Sequence, residues 1–324
     1  MQKKHEMFGN VVLFLCATVW GLAFAFQRRA VGSINPIAFN GLRFTLATFV
    51  LLIVLVVFEL VDRKRSVKRA GWNKSTIIGG ICCGIALITA SNLQQYGIES
   101  TSAGRASFIT ALYMVLVPVI GLLIGKKVSV LSRFAIPIAL VGFWLMCTSD
   151  GGKLGMGDLL SLFSTVFFAI QIQFIDIFGK EADPIKITFV QFFTCAFVSI
   201  PCMAIAGFPS TSIFTNMDEL INLLYVGIFS AGIGFTLQTI GQKYTEPSVA
   251  SLIMSLESVV GLIGAVIILK EPHSNTELAG CLLVFFAVIL AQFSIPRRFL
   301  RFDKNSFALT ANKKQWFYDD ERLL

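Results

Sequence analysis

Charge is scarce in this sequence. Only 14% of its 324 residues are Asp, Glu, Lys or Arg, whereas a soluble protein of this length carries roughly a quarter. Hydrophobic residues make up 55% of the chain, and the mean hydropathy is +0.76. The few charges fall in short clusters between long apolar runs. This pattern excludes a soluble globular domain and indicates an integral membrane protein.

Residues that carry enzyme chemistry are also few. The only two histidines, His5 and His273, lie outside the long apolar runs. The chain has no Gly-x-Ser-x-Gly, His-Glu-x-x-His or P-loop motif, so neither hydrolysis nor ATP-driven pumping is indicated. The seven cysteines lie inside apolar runs without metal-ligand spacing, which is typical of packing residues. We therefore expect no catalytic residue, no metal and no cofactor.

Ten apolar runs are candidates to cross a bilayer, since a helix rises about 1.5 Å per residue and the hydrocarbon layer is about 30 Å thick. The first run could also be a signal peptide, with 23-AFA-25 near its end, but Arg28 and Arg29 follow at once and favour a retained helix. The predicted spans are 10–27, 37–58, 77–96, 106–125, 131–148, 157–177, 185–206, 219–240, 248–269 and 277–295.

The distribution of positive charge predicts the orientation of these spans. With the N-terminus in the cytoplasm, 21 of the 27 Lys and Arg residues fall in cytoplasmic segments. Because Lys and Arg near span ends are retained inside, both termini are predicted to be cytoplasmic, in a multi-pass protein of the cell membrane. The net charge of +8 then follows from topology and does not indicate nucleic-acid binding.

The chain repeats itself. The segment 92-NLQQYGIESTSAGRAS-107 matches 236-TLQTIGQKYTEPSVAS-251 at an offset of 144, and 18-TVW-20 matches 165-TVF-167. Pro36 likewise pairs with Pro184, and Arg43 with Gln191. These matches predict two five-helix repeats. Their boundaries, with those of a polar cytoplasmic tail, are 1–149, 150–295 and 296–324.

The number of spans in each repeat determines how the two copies are oriented. Five is odd, so the second copy must enter the membrane upside down. Inverted repeats of this kind form secondary transporters, in which the two halves enclose a site near the midplane. The sequence therefore predicts an all-α membrane protein of ten transmembrane helices in two inverted five-helix repeats.

Several motifs also resemble a known family. The segments 20-WG-21, 35-NPIAFNGLRFTLA-47, 101-TSAGRASFITALYMVLVP-118 and 245-TEPSVASLIMSLESVVGLIGAVIILKE-271 resemble the EamA-type branch of the drug/metabolite transporter superfamily. The resemblance covers residues 9 to 295 and implies ten spans in two inverted halves, with transport of small metabolites, often export of amino acids. Ser258 departs from the family, which commonly has Pro after the Glu, so the sequence lacks the proline that would kink this span. Lys126–Lys127 also replace the family's usual Gly-Glu.

Two charges lie deep within the spans, Arg43 and Glu257. Arg43 is close enough to the outer boundary for its long stem to snorkel, so a structural role stands beside the binding of a substrate carboxylate. Glu257 is too short to reach water and must point into the bundle. It could exchange a proton during transport, bind a substrate amine, or cap groups of a neighbouring helix.

Amides, aromatics and helix breakers complete the candidate set. Buried amides between membrane helices most often join the helices, and otherwise contact substrate. Pro118 and Gly261 are candidate hinges, because proline removes a helical hydrogen bond and glycine permits bending or close approach. The candidate substrate-binding residues are Trp20, Arg43, Asn92, Gln95, Tyr113, Gln171, Gln238 and Glu257.

These features predict a secondary transporter, with export of an amino acid by alternating access as the leading hypothesis. Hydrophobic cations and nucleotide-linked sugars are the alternative substrates. A membrane sensor or scaffold is the alternative class, disfavoured because no segment is large enough for a soluble output domain. The expected partners are a small-molecule substrate and the lipid bilayer, and a homodimer is left open.

Overall fold

The structure is a computed structural model that describes residues 2–65, 71–126, 128, 130–148, 155–209, 211–272 and 274–292. These residues contain helices and no strand, and they belong to one compact unit. The tail predicted for 296–324 lies outside the described residues. Over the described part of the chain, the protein is an all-α membrane protein.

Thirteen α-helices follow one another along the described chain, with a short 3₁₀ helix and a π-helical stretch between α8 and α10. The α-helices are α1 Gln2–Arg29, α2 Pro36–Arg65, α3 Lys74–Ser100, α4 Ala103–Ala111, α5 Tyr113–Leu123, α6 Val130–Thr148, α7 Met156–Phe178, α8 Pro184–Ala206, α9 Met217–Leu224, α10 Phe235–Gln242, α11 Pro247–Met254, α12 Glu257–Leu269 and α13 Asn275–Gln292. The 3₁₀ helix is Thr211–Phe214 and the π-helix is Tyr225–Gly234.

Each predicted span coincides with one helical stretch. Three spans are built from more than one element: α4 with α5, α9 through the π-helix to α10, and α11 with α12. Among the described residues, eight stretches are long and apolar enough to cross a membrane. The fifth and tenth spans lie on shorter apolar helices, Arg133–Leu145 and Asn275–Leu290. The total of ten crossings therefore stays a prediction.

The burial pattern is the reverse of that of a soluble protein. Large apolar side chains such as Phe49, Ile53 and Phe197 are exposed on the outside of the bundle, where lipid would cover them. Polar side chains, including Gln94, Gln171 and Gln238, are buried between helices. In lipid there is no water to hydrogen-bond such groups, so they must meet partners within the protein.

Two helix crossings tie the halves of the chain together with the same chemistry. At the end of α3, Gly97 lies against Gly157 of α7, with a Cβ at Gly97 only 2.8 Å from the Gly157 carbonyl oxygen. At the end of α10, a Cβ at Gly241 would lie 3.1 Å from the carbonyl oxygen of Gly9 in α1. Only glycine permits backbones to approach this closely.

A hydrogen bond from a threonine also connects the two helices at each crossing. Thr101 donates to Asp158 over 2.9 Å, and Thr245 donates to Asn10 over 3.1 Å. Thr101 and Thr245 are separated by the repeat offset of 144. The first crossing joins the end of α3 to the start of α7, and the second joins the end of α10 to the start of α1.

Two spans are interrupted at matching positions. The fourth span breaks at Leu112, between α4 and α5, and the ninth breaks at Ser255 and Leu256, between α11 and α12. Short i→i−3 hydrogen bonds close each break, from Leu112 N to Ile109 O and from Leu256 N to Ile253 O. The sequence lacks a proline after Glu257, yet the ninth span is interrupted just before this residue.

Candidate functional site

The two helix breaks meet at a small cavity in the centre of the bundle. Tyr113 is the first residue of α5 and Glu257 is the first residue of α12, and both line this cavity. Its volume is about 30 Å³, room for one or two water molecules. We call it the central cavity; it is lined by Trp20, Ala23, Phe24, Gln27, Arg43, Gln94, Thr110, Tyr113, Phe168, Ser230, Phe235 and Glu257.

Glu257 and Tyr113 present unsatisfied polar atoms within the bundle. Their side chains are 3% and 2% exposed. Neither Glu257 Oε1 nor Tyr113 Oη makes a hydrogen bond of good geometry with a described residue, although the two side chains lie close enough to interact with each other. Most buried polar groups in proteins are hydrogen-bonded, and each exception requires an explanation. Arg43 Nε is a third such atom at the same cavity, and together the three groups indicate a site that binds a ligand atom, a proton or water.

Arg43 supplies the positive charge of the cavity. The sequence suggested that this side chain could snorkel toward the membrane surface, and that expectation is wrong, because Arg43 is only 4% exposed. Its Nη1 donates to Gln27 Oε1 over 3.5 Å and its Nη2 donates to Ser230 Oγ over 3.3 Å. These two hydrogen bonds hold the guanidinium between α1 and the π-helix.

The π-helix contacts α1 through the indole ring of Trp20. At the C-terminal end of the π-helix the Phe235 N–H bonds to the Ala231 carbonyl, and the Ser230 carbonyl accepts a 3.1 Å hydrogen bond from Trp20 Nε1. A Cβ at Gly234 would lie 2.5 Å from the same indole nitrogen, so glycine is required there. Trp20 also packs on Phe235, with ring centroids 4.6 Å apart. The indole therefore forms a fixed wall of the central cavity.

Four of the eight predicted substrate-binding residues line this cavity: Trp20, Arg43, Tyr113 and Glu257. The other four lie outside its lining. Asn92 accepts a hydrogen bond from Asn40, and Gln95 donates to the Gln27 carbonyl oxygen, one step behind the cavity wall. These two amides therefore join helices in this structure.

The other two predicted amides satisfy one another. Gln171 and Gln238 exchange hydrogen bonds of 3.1 Å, and Gln171 also donates to Gln191 over 3.0 Å. This cluster joins α7, α8 and α10 beside the cavity. Any contact of these amides with substrate stays a prediction.

The predicted hinges have different surroundings. Pro118 lies inside α5, six residues after the interruption at Leu112. Gly261 lies in α12, where a Cβ would come within 2.5 Å of Ser107 Oγ, so this glycine permits close approach of α4. The interruption of the ninth span lies before Gly261, at Ser255 and Leu256. The hinge role of each residue stays a prediction.

Sequence reasoning missed several residues of the cavity wall. Gln27, Thr110 and Ser230 have no special sequence pattern, and the aromatics Phe24, Phe168 and Phe235 are hidden among 31 phenylalanines. Gln94 could have been included, because it occupies the position in the first repeat that Gln238 occupies in the second.

No group of three or more His, Cys, Asp or Glu side chains that could hold a metal occurs among the described residues. The described cysteines are free thiols, and the side chain of Cys147 lies outside the described set.

Comparison with known proteins identifies the family. The EamA-like transporter family matches residues 7–148 and again residues 155–293. An uncharacterized transporter of Archaeoglobus fulgidus is 30% identical over 90% of this chain and 87% of its own length. The uncharacterized transporter YoaV of Bacillus subtilis is 22% identical over 86% of this chain and 95% of its own.

A crystal structure shows that this fold occurs in a known protein. It has a TM-score of 0.68 at 16% identity and covers 87% of this chain and 97% of its own. At this identity the likeness concerns the fold alone. The family matches establish the class of protein: the chain belongs to the EamA-like transporter family and is a membrane transporter, not an enzyme.

Proposed function

We propose that the protein carries a small zwitterionic metabolite through the central cavity by alternating access, with export of an amino acid as the leading case. The observation that supports this most directly is the pairing of an unsatisfied carboxylate and phenol with a guanidinium in one aromatic-walled cavity. Glu257 and Tyr113 would receive the substrate amine. Arg43 would receive its carboxylate, because guanidinium and carboxylate match in charge and geometry.

The architecture supports alternating access. The two glycine crossings, each with its threonine hydrogen bond, are what two inverted five-helix repeats would produce at opposite faces of the membrane. The family also matches twice, once in each predicted half. The central cavity is too small for an amino acid, so binding requires the halves to move apart.

Purified protein in liposomes would test the proposed substrate class. A panel of labelled amino acids is compared with organic cations that lack a carboxylate, and saturable flux of at least one amino acid is expected. Arg43→Gln should weaken amino-acid transport strongly. The matched control Ser199→Ala removes a buried hydroxyl whose 2.7 Å bond to Cys195 O lies away from the cavity lining. Absence of saturable flux for every amino acid would refute this substrate class.

A carrier of hydrophobic cations is the second candidate, and the aromatic wall with Glu257 favours it. Aromatic faces and a carboxylate together bind organic cations. Such a carrier would depend on Glu257 and only weakly on Arg43. Cation flux that survives Arg43→Gln but not Glu257→Gln would select this candidate over the amino-acid carrier.

Proton coupling by Glu257 is a further part of the proposal. The unpartnered Oε1 supports it, and the ionisable groups near this carboxyl are Tyr113, Arg43 and the Cys16 thiol. If Glu257 carries the coupled proton, flux through the wild type should depend on pH and flux through Glu257→Gln should not. An unchanged pH profile in the variant would exclude the coupling role.

We further propose that both termini face the cytoplasm, as the charge distribution predicts. Accessibility of an N-terminal tag in intact cells and in permeabilised cells would test this. Labelling of the tag in intact cells would show that the N-terminus faces outward. That result would contradict the proposed orientation and would not affect the proposal for the cavity.

A further inference from the structure

The central cavity lies between two larger recesses, one at each face of the bundle. The N-terminal face is the one at which α1 begins. Its recess, here called the N-face vestibule, has a volume of about 510 Å³; its counterpart, the opposite vestibule, has about 430 Å³. The N-face vestibule includes Thr245, and the opposite vestibule includes Thr101, its counterpart in the repeat. What separates each vestibule from the central cavity determines which face can open.

A polar cluster lines the N-face vestibule and bridges two spans. Lys126 Nζ, just beyond α5, lies 2.6 Å from Asp176 Oδ2 and 2.8 Å from Gln173 Oε1, both on α7. Asp176 is 5% exposed and Lys126 is 30% exposed. Because Asp176 is buried, this ion pair is screened less than a pair on the surface. We call these three residues the latch.

The latch continues inward to the backbone of α5. The Nε2 atom of Gln173 donates a 2.6 Å hydrogen bond to the Val117 carbonyl oxygen. One glutamine side chain therefore joins the Lys126 ammonium group to the middle of α5. Opening a path beside α7 at this face would have to break both contacts.

Only a few residues of α5 and α7 lie between the central cavity and the N-face vestibule. Along α7, Phe168 lines the central cavity and Gln173 lines the N-face vestibule, a separation of about 7 Å. Along α5, Val117 is fully buried, four residues after Tyr113. Ile172 is 1% exposed, and its carbonyl oxygen accepts a 3.1 Å hydrogen bond from Gln242 of α10. Val117 and Ile172 are thus buried apolar residues that lie, along α5 and α7, between the residues of the central cavity and those of the N-face vestibule.

The opposite end of α7 carries a matching contact with the same span. Asp158, in the first turn of α7, lies 2.9 Å from Arg105 of α4 and accepts the hydrogen bond from Thr101. The span formed by α4 and α5 is therefore tied to α7 by an ion pair at each face of the bundle. The central cavity shares no lining residue with either vestibule.

We propose that the latch is the gate of the N-terminal face, that the Arg105–Asp158 pair is the gate of the opposite face, and that the transport cycle breaks them one at a time. This inference rests on the proposed alternating access and adds residues that lie outside the central cavity. Breaking the latch lets α5 move from α7 while Arg105 and Asp158 hold the far end. Breaking the far pair does the reverse.

Thiol accessibility in the full-length protein tests the gates without measuring transport. Ala23→Cys serves as the reporter, because Ala23 lines the central cavity and is 1% exposed. A membrane-impermeant methanethiosulfonate is applied to right-side-out and to inside-out vesicles. Site-resolved mass spectrometry then separates the reporter from native thiols. Lys126→Met should raise the labelling rate from the N-terminal face on the order of tenfold and lower it from the other face.

One variant serves as a matched control, and a second tests the other gate. Lys180 also lies near Asp176, at 3.6 Å, but it is 66% exposed and follows directly after α7, so this pair does not bridge two spans. Lys180→Gln should therefore leave labelling within about twofold of the parent. Arg105→Gln should produce the opposite asymmetry, with faster labelling from the opposite face. Asp176→Asn provides a second route if Lys126→Met is not produced in folded form.

Charge exchange separates a gate from a merely structural contact. The double variant Lys126→Asp with Asp176→Lys should return labelling toward the parent rate, since it restores an ion pair between the same two spans. Equal labelling in parent and Lys126→Met, or equal acceleration by Lys180→Gln, would overturn the proposal. Failure of the flux assays with labelling that follows the expected pattern would instead refute the substrate and leave the gates standing.

Discussion

The two interrupted spans share one backbone geometry and carry different chemistry. Leu112 and Leu256, 144 positions apart, have φ/ψ angles of −61°/−11° and −61°/−13°. The residue that follows each break lines the central cavity, and it is Tyr113 in one half and Glu257 in the other. The repeat therefore places a side chain at the cavity from each half, and the identity of that side chain decides what it can bind.

The sequences reach this common geometry by partly different means, although Ser107 and Ser251, 144 positions apart, both donate to the carbonyl oxygen three residues earlier. In the fourth span, Pro118 cannot donate a hydrogen bond to the carbonyl of Met114, which weakens the helix just after the break. In the ninth span, three serine hydroxyls donate to carbonyl oxygens three residues earlier. These bonds compete with the helical ladder and bend it. The serines are Ser251, Ser255 and Ser258.

The surroundings of the two breaks also differ. Gly21 of α1 lies against the second break, where a Cβ would come 2.7 Å from the Glu257 carbonyl oxygen. At the corresponding place in the second half stands Phe168, whose ring lines the cavity beside Tyr113. The second break is thus packed directly against the backbone of α1, whereas a phenylalanine side chain occupies the equivalent position in the second half. The second break should be the more sensitive of the two to substitution.

The largest effect on transport is expected from removing the functional group at each break. Glu257→Gln keeps the shape and removes the charge, and should lower flux on the order of 100-fold if the carboxylate pairs with a buried substrate amine. Tyr113→Phe removes a neutral hydroxyl and should cost only about fivefold. Initial rates of liposome flux measure both. Equal losses in the two variants would show that the breaks contribute alike.

A second prediction concerns the packing around Glu257. Gly21→Val would place its Cβ 2.5 Å from Val260 Cβ and should destabilise the protein by about 1–3 kcal/mol or more through overpacking. Thermal unfolding in detergent measures this loss. Gly104→Ala is the matched control, because its nearest neighbour, Leu262 Cδ1, lies 3.6 Å from the added Cβ. A tolerated Gly21→Val would mean that the second break is no more tightly held than the first.

The smallest effect is expected for restoring the family's proline. Ser258 is the second residue of α12, and its backbone N–H makes one 3.0 Å hydrogen bond to Ser255 O. Ser258→Pro should therefore cost only about 1 kcal/mol, because proline fits the first turn of a helix. Leu262→Pro in the interior of α12 should cost about 3 kcal/mol or more. Similar losses in thermal stability for both would show that α12 does not begin at Glu257.

Much of the fold could be predicted from the sequence because hydrophobic length and charge placement are local properties. The ten apolar runs coincide with helical stretches, and the threonines matched at the offset of 144 both form hydrogen bonds at helix crossings. The two breaks were not predicted, because the sequence placed its candidate hinge at Pro118 and lacked the proline that would kink the ninth span. Glu257 could be placed inside the bundle because its side chain is too short to reach water from the middle of a membrane span.

The rest of the site depends on neighbours that are remote in sequence. Arg43 has the length to reach the membrane surface, and the partners that keep it inside, Gln27 and Ser230, lie 16 and 187 residues away. Gln171 and Gln238 have the same composition as binding residues and instead satisfy one another. The latch joins Lys126 to Asp176 across 50 residues.

The sequence by itself determined the class of this protein, the position of its apolar helices and the one carboxylate that had to face inward. The tertiary structure decided which polar groups hydrogen-bond to each other and which remain without a hydrogen bond at the cavity. The physical reason is that burial of apolar segments follows from composition along the chain. Satisfaction of a hydrogen bond depends on partners that only the packed bundle brings within about 3 Å.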